Sequence, residues 1–239
     1  MVPRFYVDAP LREGSVCNLS EDAAHHALHV LRLRELDEVT LFNGRGGEYA
    51  ARIASLQRLR ISIDVLEHRA LERESPLRVT LVQGISAGEK MDSTVRKAVE
   101  LGVAAIQPVL AARSVARPKA ERADTRRAHW QKIVIAACEQ CGRNRIPEVS
   151  PLIDVAEYRA GAGTNILLSP RSERALSKLA LQGNEFVLAA GPEAGFTAQE
   201  EAALAGAGFV PATLGPRVLR TETAAVAALA ALNALLGDS

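Results

Sequence analysis

Cysteines are scarce in this sequence and long apolar runs are missing, and each shortage excludes a class of protein. Three cysteines in 239 residues are too few for the disulfide framework of a small secreted domain. The longest apolar run, residues 224–232, is far shorter than the roughly 20 residues of a membrane span. The start of the chain also has no basic segment followed by an apolar one, as a secretory leader would have. We therefore expect a cytoplasmic protein.

Metal-ligand patterns are equally incomplete. Cys138 and Cys141 form a single C-x-x-C pair, whereas a structural zinc site needs four ligands. The pair is interpreted either as small residues packing a helix or as a zinc or redox site. His25, His26 and His29 lack a nearby carboxylate or cysteine to complete a ligand set, so no metal is expected. They are assigned to a helix surface or to RNA contact.

Charge is nearly balanced over the chain but not along it. The net charge is +1, yet residues 113–145 contain nine Lys or Arg against three Asp or Glu. A basic stretch on a near-neutral protein favours a polyanionic partner at one face, with nucleic acid as the leading candidate. The alternative is an arginine-rich, solvated helix surface.

The first 70 residues alternate short apolar segments with turn signals, a pattern typical of a small β-rich unit such as a barrel. Residues 43–47 (NGRGG) indicate a hairpin connection, and Ser20 is a candidate N-cap for one helix reaching residue 33. A polar stretch ending at Pro76 indicates a domain boundary, which predicts domains at 1–72 and 73–239. Strands are predicted at 4–7, 16–19, 38–42, 48–53 and 59–65.

From residue 77 onward, strands alternate with helices, which favours an α/β domain with a mostly parallel sheet. Strands are predicted at 79–82, 104–109, 166–168, 186–190 and 209–214, and helices at 90–101, up to 141, and 221–236.

Two segments follow strands of this sheet and lead into helices: residues 191–196 (GPEAGF) and 214–223 (LGPRVLRTET). Thr197 with Glu200 forms a capping-box pattern, and Thr221 stands where an N-cap would lie. Ligands of open α/β sheets bind beyond the carboxyl ends of the strands, where helix N-termini leave amides unpaired. The two segments therefore predict one small-ligand site.

Several motifs resemble the bacterial 16S rRNA (uracil-N3) methyltransferase family. They are residues 90–103 (KMDSTVRKAVELGV), 113–115 (RSV), 139–144 (EQCGRN), 191–196 and 214–224, and they occur in that family's order. Residues 25–32 (HHALHVLR) resemble its N-terminal signature, so the resemblance covers nearly the whole chain.

The resemblance implies a PUA-like β-barrel RNA-binding domain followed by a SPOUT-type methyltransferase domain, with a mostly parallel sheet and a C-terminal trefoil knot. It also implies a homodimer that uses S-adenosylmethionine. The cofactor-binding residues that it implies are Leu168, Gly191, Pro192, Glu193, Gly195, Leu214, Gly215, Val218, Leu219 and Thr223.

The family pattern usually has glycine where this chain has Ala194. At a positive φ, alanine would cost roughly 1–2 kcal/mol, whereas at a negative φ it would cost little. We expect a negative φ at Ala194.

Methylation of uracil N3 requires removal of an imide proton or stabilisation of the resulting anion. Arg220 is the candidate for stabilising the anion, and Glu139 or Glu222 for accepting the proton. The alternatives are an ion pair to phosphate or to a second protomer for Arg220, and a helix-surface position for Glu139.

RNA contact is assigned to basic side chains that can bind phosphates, together with the N-terminal domain. The candidates are His26, Arg32, Arg113, Arg117, Arg126, Arg127, Arg143 and Arg145.

The expected activity is methylation of N3 of one uridine in 16S rRNA, free or within the small ribosomal subunit. The alternatives are a related ribose 2′-O-methyltransferase and a non-catalytic RNA-binding protein. A nicotinamide enzyme is disfavoured, because no G-x-G-x-x-G motif follows a strand. The apolar final helix predicts burial on more than one side, in a core or in a dimer.

Overall fold

The computed structural model describes residues 2–57, 60–115 and 120–237. The chain forms two compact units. The first consists of Met1–Glu74 and Cys138–Ile146, and the second of Ser75–Ala137 and Pro147–Ser239. The sequence predicted a single boundary between residues 72 and 73. It did not predict that residues 138–146 belong to the first unit.

The first unit contains a mixed five-stranded sheet in the order β1-β3-β4-β5-β2, in which β1 pairs with β3 in parallel and the other pairs are antiparallel. Side chains of β5 alternate, and Ile61, Ile63 and Val65 are buried in the core with Phe5 and Leu41. This period of two is what a sheet with one buried face requires. Closure into a barrel stays a prediction. The strands are β1 Arg4–Tyr6, β2 Val16–Asn18, β3 Glu38–Phe42, β4 Glu48–Gln57 and β5 Arg60–Arg69.

The predicted N-terminal helix is shorter and less regular than its pattern indicates. Helix α1, Glu21–His25, begins at Ser20, whose side chain accepts a hydrogen bond from the amide of Ala23. It continues as a π-helix over His26–Val30. Arg32 follows with φ 55°, a left-handed conformation that is uncommon outside glycine. The apolar spacing predicted the helix but not the change in its hydrogen bonding.

Residues 138–146 are held within the first unit by buried polar contacts. Glu48 accepts hydrogen bonds from Arg4 at 2.6 Å and Arg73 at 2.9 Å. Arg4 also donates to the Asn144 side chain at 2.6 Å, and the amide of Asn144 donates to the Leu71 carbonyl at 2.6 Å. Since Asn144 is fully buried, these partners offset the cost of removing it from water. Side-chain pairing over long sequence distances thus defines the unit.

The second unit is an α/β structure around a seven-stranded sheet whose strand pairs are all parallel. The order is β12-β10-β11-β6-β7-β8, and β9 pairs with β7. This confirms the predicted parallel sheet, although β8 and β9 were not predicted because two-residue strands carry no readable period. The strands are β6 Arg78–Gly84, β7 Ala105–Leu110, β8 Glu148–Val149, β9 Ile153–Asp154, β10 Thr164–Leu168, β11 Glu185–Ala190 and β12 Val210–Ala212.

The further α-helices among the described residues are α2 Glu89–Glu100, α3 Ala120–Cys141, α4 Ala198–Gly206 and α5 Thr221–Leu236, and short 3₁₀ helices lie at Val155–Glu157 and Leu176–Lys178. Helix α5 packs against α2, and its buried side chains include Ala225, Ala228, Leu229 and Leu232. Burial within its own unit therefore accounts for one side of the apolar helix, and a dimer contact stays a prediction, as does the knot. Within the described residues no helix is long and apolar enough to cross a membrane.

Candidate functional site

The two segments singled out in the sequence leave the same edge of the parallel sheet. Residues 191–196, here the 191–196 loop, follow β11, and residues 214–220, here the 214–220 loop, follow β12 by way of Thr213. Strand β10 lies between β11 and β12 and is parallel to both. The carboxyl ends of three neighbouring strands therefore meet at one edge, where α/β proteins bind ligands.

Contacts from several strand ends hold the 191–196 loop. Glu193 accepts a hydrogen bond from the Ala87 amide at 2.9 Å and lies 3.5 Å from the ammonium of Lys90. Arg113, in the loop after β7, donates to the Ala194 carbonyl at 3.4 Å. Arg171, in the loop after β10, donates to the Phe196 carbonyl at 3.1 Å.

Backbone conformation in the 191–196 loop explains its glycines and its one departure from the family pattern. Gly195 has φ 69°, and the described non-glycine residues with positive φ do not include Ala194. The expectation of a negative φ at Ala194 is therefore confirmed. A Cβ on Gly191 would lie 2.8 Å from the backbone nitrogen of Phe196, so a side chain at Gly191 would open this turn.

A buried hydrogen-bond network joins the two segments. The hydroxyl of Thr221, the first residue of α5, donates to the Gly191 carbonyl at 2.6 Å. The amide of Gln83, near the end of β6, donates to Thr221 Oγ1 at 3.0 Å and to the Gly191 carbonyl at 3.4 Å. Gln83 is fully buried and Thr221 is 7% exposed. The network fixes the distance between the 191–196 loop and the start of α5.

A mostly apolar pocket lies between the loops that follow β10 and β12. Three residues of the predicted cofactor set line it: Leu168 at the end of β10, and Leu214 and Leu219 in the 214–220 loop. An apolar slot with polar groups at its rim is typical of sites that bind an aromatic ring. The lining residues are Leu168, Ser169, Pro170, Ala212, Thr213, Leu214, Arg217, Leu219 and Ala224.

Unpaired acceptors mark the polar part of the site. Gln83 Oε1, Glu193 Oε2 and Glu222 Oε2 are buried and have no hydrogen-bond partner among the described residues. Buried acceptors are normally satisfied by protein, water or ligand. Burial acts to raise the pKa of Glu193, but the hydrogen bond from Ala87 and the charge of Lys90 outweigh it, so this pKa lies below its ordinary value. Buried acceptors without a partner among the described residues thus occur on β6, on the 191–196 loop and in the first turn of α5, outside the lining of the apolar slot.

The three predicted catalytic residues lie in different units. Arg220 and Glu222 belong to the second unit, where the backbone carbonyl of Arg220 accepts from the Thr223 and Ala224 amides at the start of α5. The Arg220 side chain is exposed and has no partner among the described residues. Glu139 belongs to the first unit, where its carboxylate accepts the Tyr6 amide at 2.9 Å. Burial raises the pKa of Glu139 despite this hydrogen bond and the nearby Arg4 charge.

The remaining predicted cofactor residues differ in exposure. Pro192 is buried, and Gly215 has φ 112° with open space around the position of a Cβ. Val218 is 82% exposed and Thr223 is also exposed.

Several arginines predicted to bind RNA already have protein partners. Arg143 is 5% exposed and pairs with Glu74, its Nε lying 3.1 Å from the carboxylate. Arg127 donates to the Val149 carbonyl at 2.8 Å, and Arg145 lies 3.6 Å from Glu72. These contacts give the three arginines a structural role within the protein, which differs from both the RNA-binding prediction and its alternative, a solvated helix surface. RNA contact by these residues stays a prediction, and Arg143 would have to leave Glu74 to make one.

Among the described residues, three other RNA-contact candidates have no comparable protein partner. His26 and Arg32 are exposed on the first unit, and Arg126 is partly exposed on α3. Arg117 lies outside the described residues.

Of the cysteine pair, Cys138 is buried and lacks the features of a reactive thiol. Burial raises the pKa of the Cys138 thiol to about 12, whereas reactive cysteines have a lowered pKa. In the part of the chain that the structure describes, no three His, Cys, Asp or Glu side chains gather as metal ligands.

Three residues of this region were not predicted from the sequence: Gln83, Thr221 as a hydrogen-bonding side chain, and Arg171. A signal existed for Gln83, because a polar side chain in a buried strand is costly unless it has partners. Arg171 gave no such signal, since an arginine in a polar loop is ordinary.

Sequence profiles and relatives agree on one family. Residues 73–233 match a profile described as an RNA methyltransferase domain, and residues 19–66 match an RNA methyltransferase PUA domain. The ribosomal RNA small subunit methyltransferase E of Buchnera aphidicola is 35% identical over 99% of this chain and 98% of its own.

Solved structures give the same result. The ribosomal RNA small subunit methyltransferase E of Neisseria gonorrhoeae, bound to S-adenosylmethionine, is 42% identical with a TM-score of 0.92 over 100% of this chain and 99% of its own. A putative methyltransferase of Legionella pneumophila, also with bound S-adenosylmethionine, is 36% identical with a TM-score of 0.97 over 100% of both chains. The resemblance seen in the motifs is confirmed. The chain belongs to the ribosomal RNA small subunit methyltransferase E family.

Proposed function

We propose that the protein uses S-adenosylmethionine to methylate N3 of one uridine in 16S rRNA. The observation that carries this function is the pair of loops that follow β11 and β12 at one edge of the sheet, connected through Thr221 and bordered by an apolar pocket. Family membership supports an rRNA substrate and this cofactor.

The residues present fit the cofactor. The slot between Leu168, Leu214 and Leu219 suits the faces of an adenine ring, and the unpaired acceptors of Glu193 and Glu222 suit the amino and hydroxyl groups of the ligand. Gly191 lets the turn close on the backbone of Gly195 and Phe196. When bound, S-adenosylmethionine supplies an electrophilic methyl group on a positively charged sulfur.

The work left to the protein is to make uracil N3 a nucleophile. Its imide proton must move to a base while the N3 electron pair forms the new bond to carbon. The exposed guanidinium of Arg220 has no protein partner among the described residues. It is therefore available to stabilise the negative charge that spreads to the uracil oxygens.

Glu222 and Glu139 are the candidate bases, and their surroundings differ. Glu222 is two residues from Arg220, and one of its oxygens has no partner among the described residues. Glu139 is held by the Tyr6 amide and has a raised pKa because it is buried. We favour Glu222, because its acceptor is unused whereas Glu139 already serves the backbone of β1.

RNA binding is assigned to Arg113, Arg126 and the exposed His26 and Arg32. Arg113 is exposed and contacts the 191–196 loop, which links phosphate binding to the cofactor site. Lys and Arg that neutralise phosphates release counterions, so affinity should fall steeply with salt. RNA binding that does not change with salt would contradict this assignment.

We also propose a cytoplasmic homodimer, supported by the apolar helix α5 and testable by sedimentation.

Methylation of small ribosomal subunits and of free 16S rRNA, followed by mass spectrometry of the nucleosides, tests this function. We expect N3-methyluridine as the product. A 2′-O-methylated nucleoside would favour the related ribose methyltransferase. Absence of S-adenosylmethionine binding in calorimetry would favour a non-catalytic RNA-binding protein.

A further inference from the structure

A single buried side chain from β6 contacts both segments of the site. Gln83 comes from a strand outside the β10–β12 group, and the pairing of β6 with β11 brings it beside Ala190. Its amide nitrogen contacts Gly84, Gly191 and Thr221. A fully buried polar side chain is retained only where its hydrogen bonds offset desolvation. The amide of Gln83 makes its hydrogen bonds to residues of the two site segments and to its neighbour Gly84.

The direction of each hydrogen bond follows from its partners. The carbonyls of Gly84 and Gly191 only accept, so the nitrogen of the Gln83 amide must face them. Thr221 donates its single hydroxyl proton to Gly191 at 2.6 Å, which leaves its oxygen lone pairs to accept from Gln83. The two amide protons of Gln83 then point to Gly84 and Thr221, both at 3.0 Å, and the Gly191 carbonyl at 3.4 Å shares one of them. The chain of donors therefore has one consistent arrangement, running from Gln83 through Thr221 to Gly191.

We propose that Gln83 and Thr221 are positioning residues that set the distance between the 191–196 loop and the first turn of α5, and thereby the shape of the cofactor site. The proposal rests on the proposed function for its ligand. Thr221 is the first residue of α5 and directly follows Arg220. The hydrogen bond from Thr221 to Gly191 therefore also fixes the backbone position of Arg220.

Both segments need such a connection, because they are joined to different strands. The 191–196 loop follows β11 and α5 follows β12, and β10 separates these two strands in the sheet. Without the hydrogen bonds of Gln83 and Thr221, the distance between the 191–196 loop and the start of α5 depends only on the other contacts that each segment makes. A ligand that contacts both would then have to order them on binding, which lowers affinity.

Thr221→Val and Gln83→Met remove the hydrogen bonds while keeping side-chain size. We expect each to raise the dissociation constant of S-adenosylmethionine at least about tenfold, because one lost buried hydrogen bond corresponds to roughly that factor and each change removes more than one. Thr221→Ser keeps the hydroxyl and should stay within about twofold of wild type. The dissociation constant of the double variant should be close to the larger of the two single-variant values, because both changes break the same network.

Asn233→Ala is the matched control. Asn233 is also buried on α5 and donates to the Leu101 carbonyl at 2.8 Å, but it lies at the other end of the helix. It should lower the melting temperature without changing cofactor affinity. Cofactor affinity reduced equally by Asn233→Ala and Thr221→Val would mean that general stability, and not positioning, is responsible, and would overturn the proposal.

Hydrogen exchange of the ligand-free protein separates this proposal from the proposed function. The amides of Gly191 and of residues 193–196 should exchange several-fold faster in Thr221→Val than in wild type or Asn233→Ala. Unchanged exchange would reject the positioning role even if the cofactor binds. If the wild-type protein fails to bind S-adenosylmethionine but Thr221→Val still exchanges faster than wild type, the positioning role stands and the proposed function is rejected. If Thr221→Val does not fold, Gln83→Met with the Thr221→Ser control decides the same question.

Discussion

The two loops of the site are built in opposite ways. The 191–196 loop is held by side chains from three other segments, namely Arg113, Arg171 and the Lys90 end of α2, in addition to Thr221. Among the described residues, the 214–220 loop makes hydrogen bonds only to its neighbour Thr213 and to the first turn of α5. Val218 within it is 82% exposed.

This difference indicates a division of work. A loop held from many sides is pre-organised, which favours binding because less has to be ordered. A loop with few contacts can adapt to a large substrate, and loops that move in function come from the less stable parts of a fold. We therefore expect the 191–196 loop to determine cofactor affinity and the 214–220 loop to determine turnover on RNA.

Arg220→Ala tests this division most strongly. Turnover should fall about a hundredfold or more, as when a charge-stabilising group is lost, while cofactor affinity stays within about twofold. Steady-state methylation and calorimetry measure the two effects. Arg78→Ala is the control, because Arg78 is an exposed residue at the amino end of β6, where it pairs with Glu185. Unchanged turnover in Arg220→Ala would reject the role.

Gly195→Ala tests the pre-organised loop. Because Gly195 has φ 69°, we expect a loss of roughly 1–2 kcal/mol in unfolding free energy, measured by urea denaturation, together with weaker cofactor binding. The control is Gly206→Ala, where the helical backbone has open space for a Cβ. That variant should be stabilised by roughly 0.5–1 kcal/mol. The same sign in both variants would contradict the account.

Glu193→Gln tests one contact of the same loop through pH. Since the pKa of Glu193 is lowered in the folded protein, its contribution to stability is present above the unfolded value of about 4.3. This contribution disappears as pH falls through the lowered folded value. The melting temperature of wild type should thus exceed that of Glu193→Gln at pH 7, with the gap closing below about pH 4.

The exposed pair of Glu185 and Arg78 provides the comparison, because Glu185→Gln should change the melting temperature little at any pH. A gap between wild type and Glu193→Gln that is constant down to pH 3 would show that charge is not involved.

Ala194→Gly should have the smallest effect. With a negative φ at this position, glycine gains nothing in the folded state and adds freedom to the unfolded chain. We expect cofactor affinity within about twofold and a loss of at most about 1 kcal/mol in stability. A strong rise in affinity, measured by calorimetry, would mean that alanine strains the loop.

Elements with a strong local signal were predicted well. The apolar runs of β6, β7, β10 and β11 and the alanine-rich helix α5 were found because each is a continuous apolar segment bounded by turn or helix-capping signals. The Thr197–Glu200 capping box is present as predicted. The π-helix at His26–Val30 was missed because its apolar spacing resembles that of an α-helix over so few residues. The short strands β8 and β9 were missed because neighbouring strands, and not their own composition, make them strands.

Within the site, the sequence by itself determined the backbone chemistry: glycines where turns need them, helix starts after strands, and motifs that identify a family. Only the tertiary structure decided which side chains act together. Gln83 and Gly191 are 108 residues apart, and Arg4 and Asn144 are 140 apart, so no local pattern relates them. Parallel pairing of β6 with β11 brings the first pair together, and the return of residues 138–146 to the first unit brings the second pair together. Burial then favours hydrogen bonds between them.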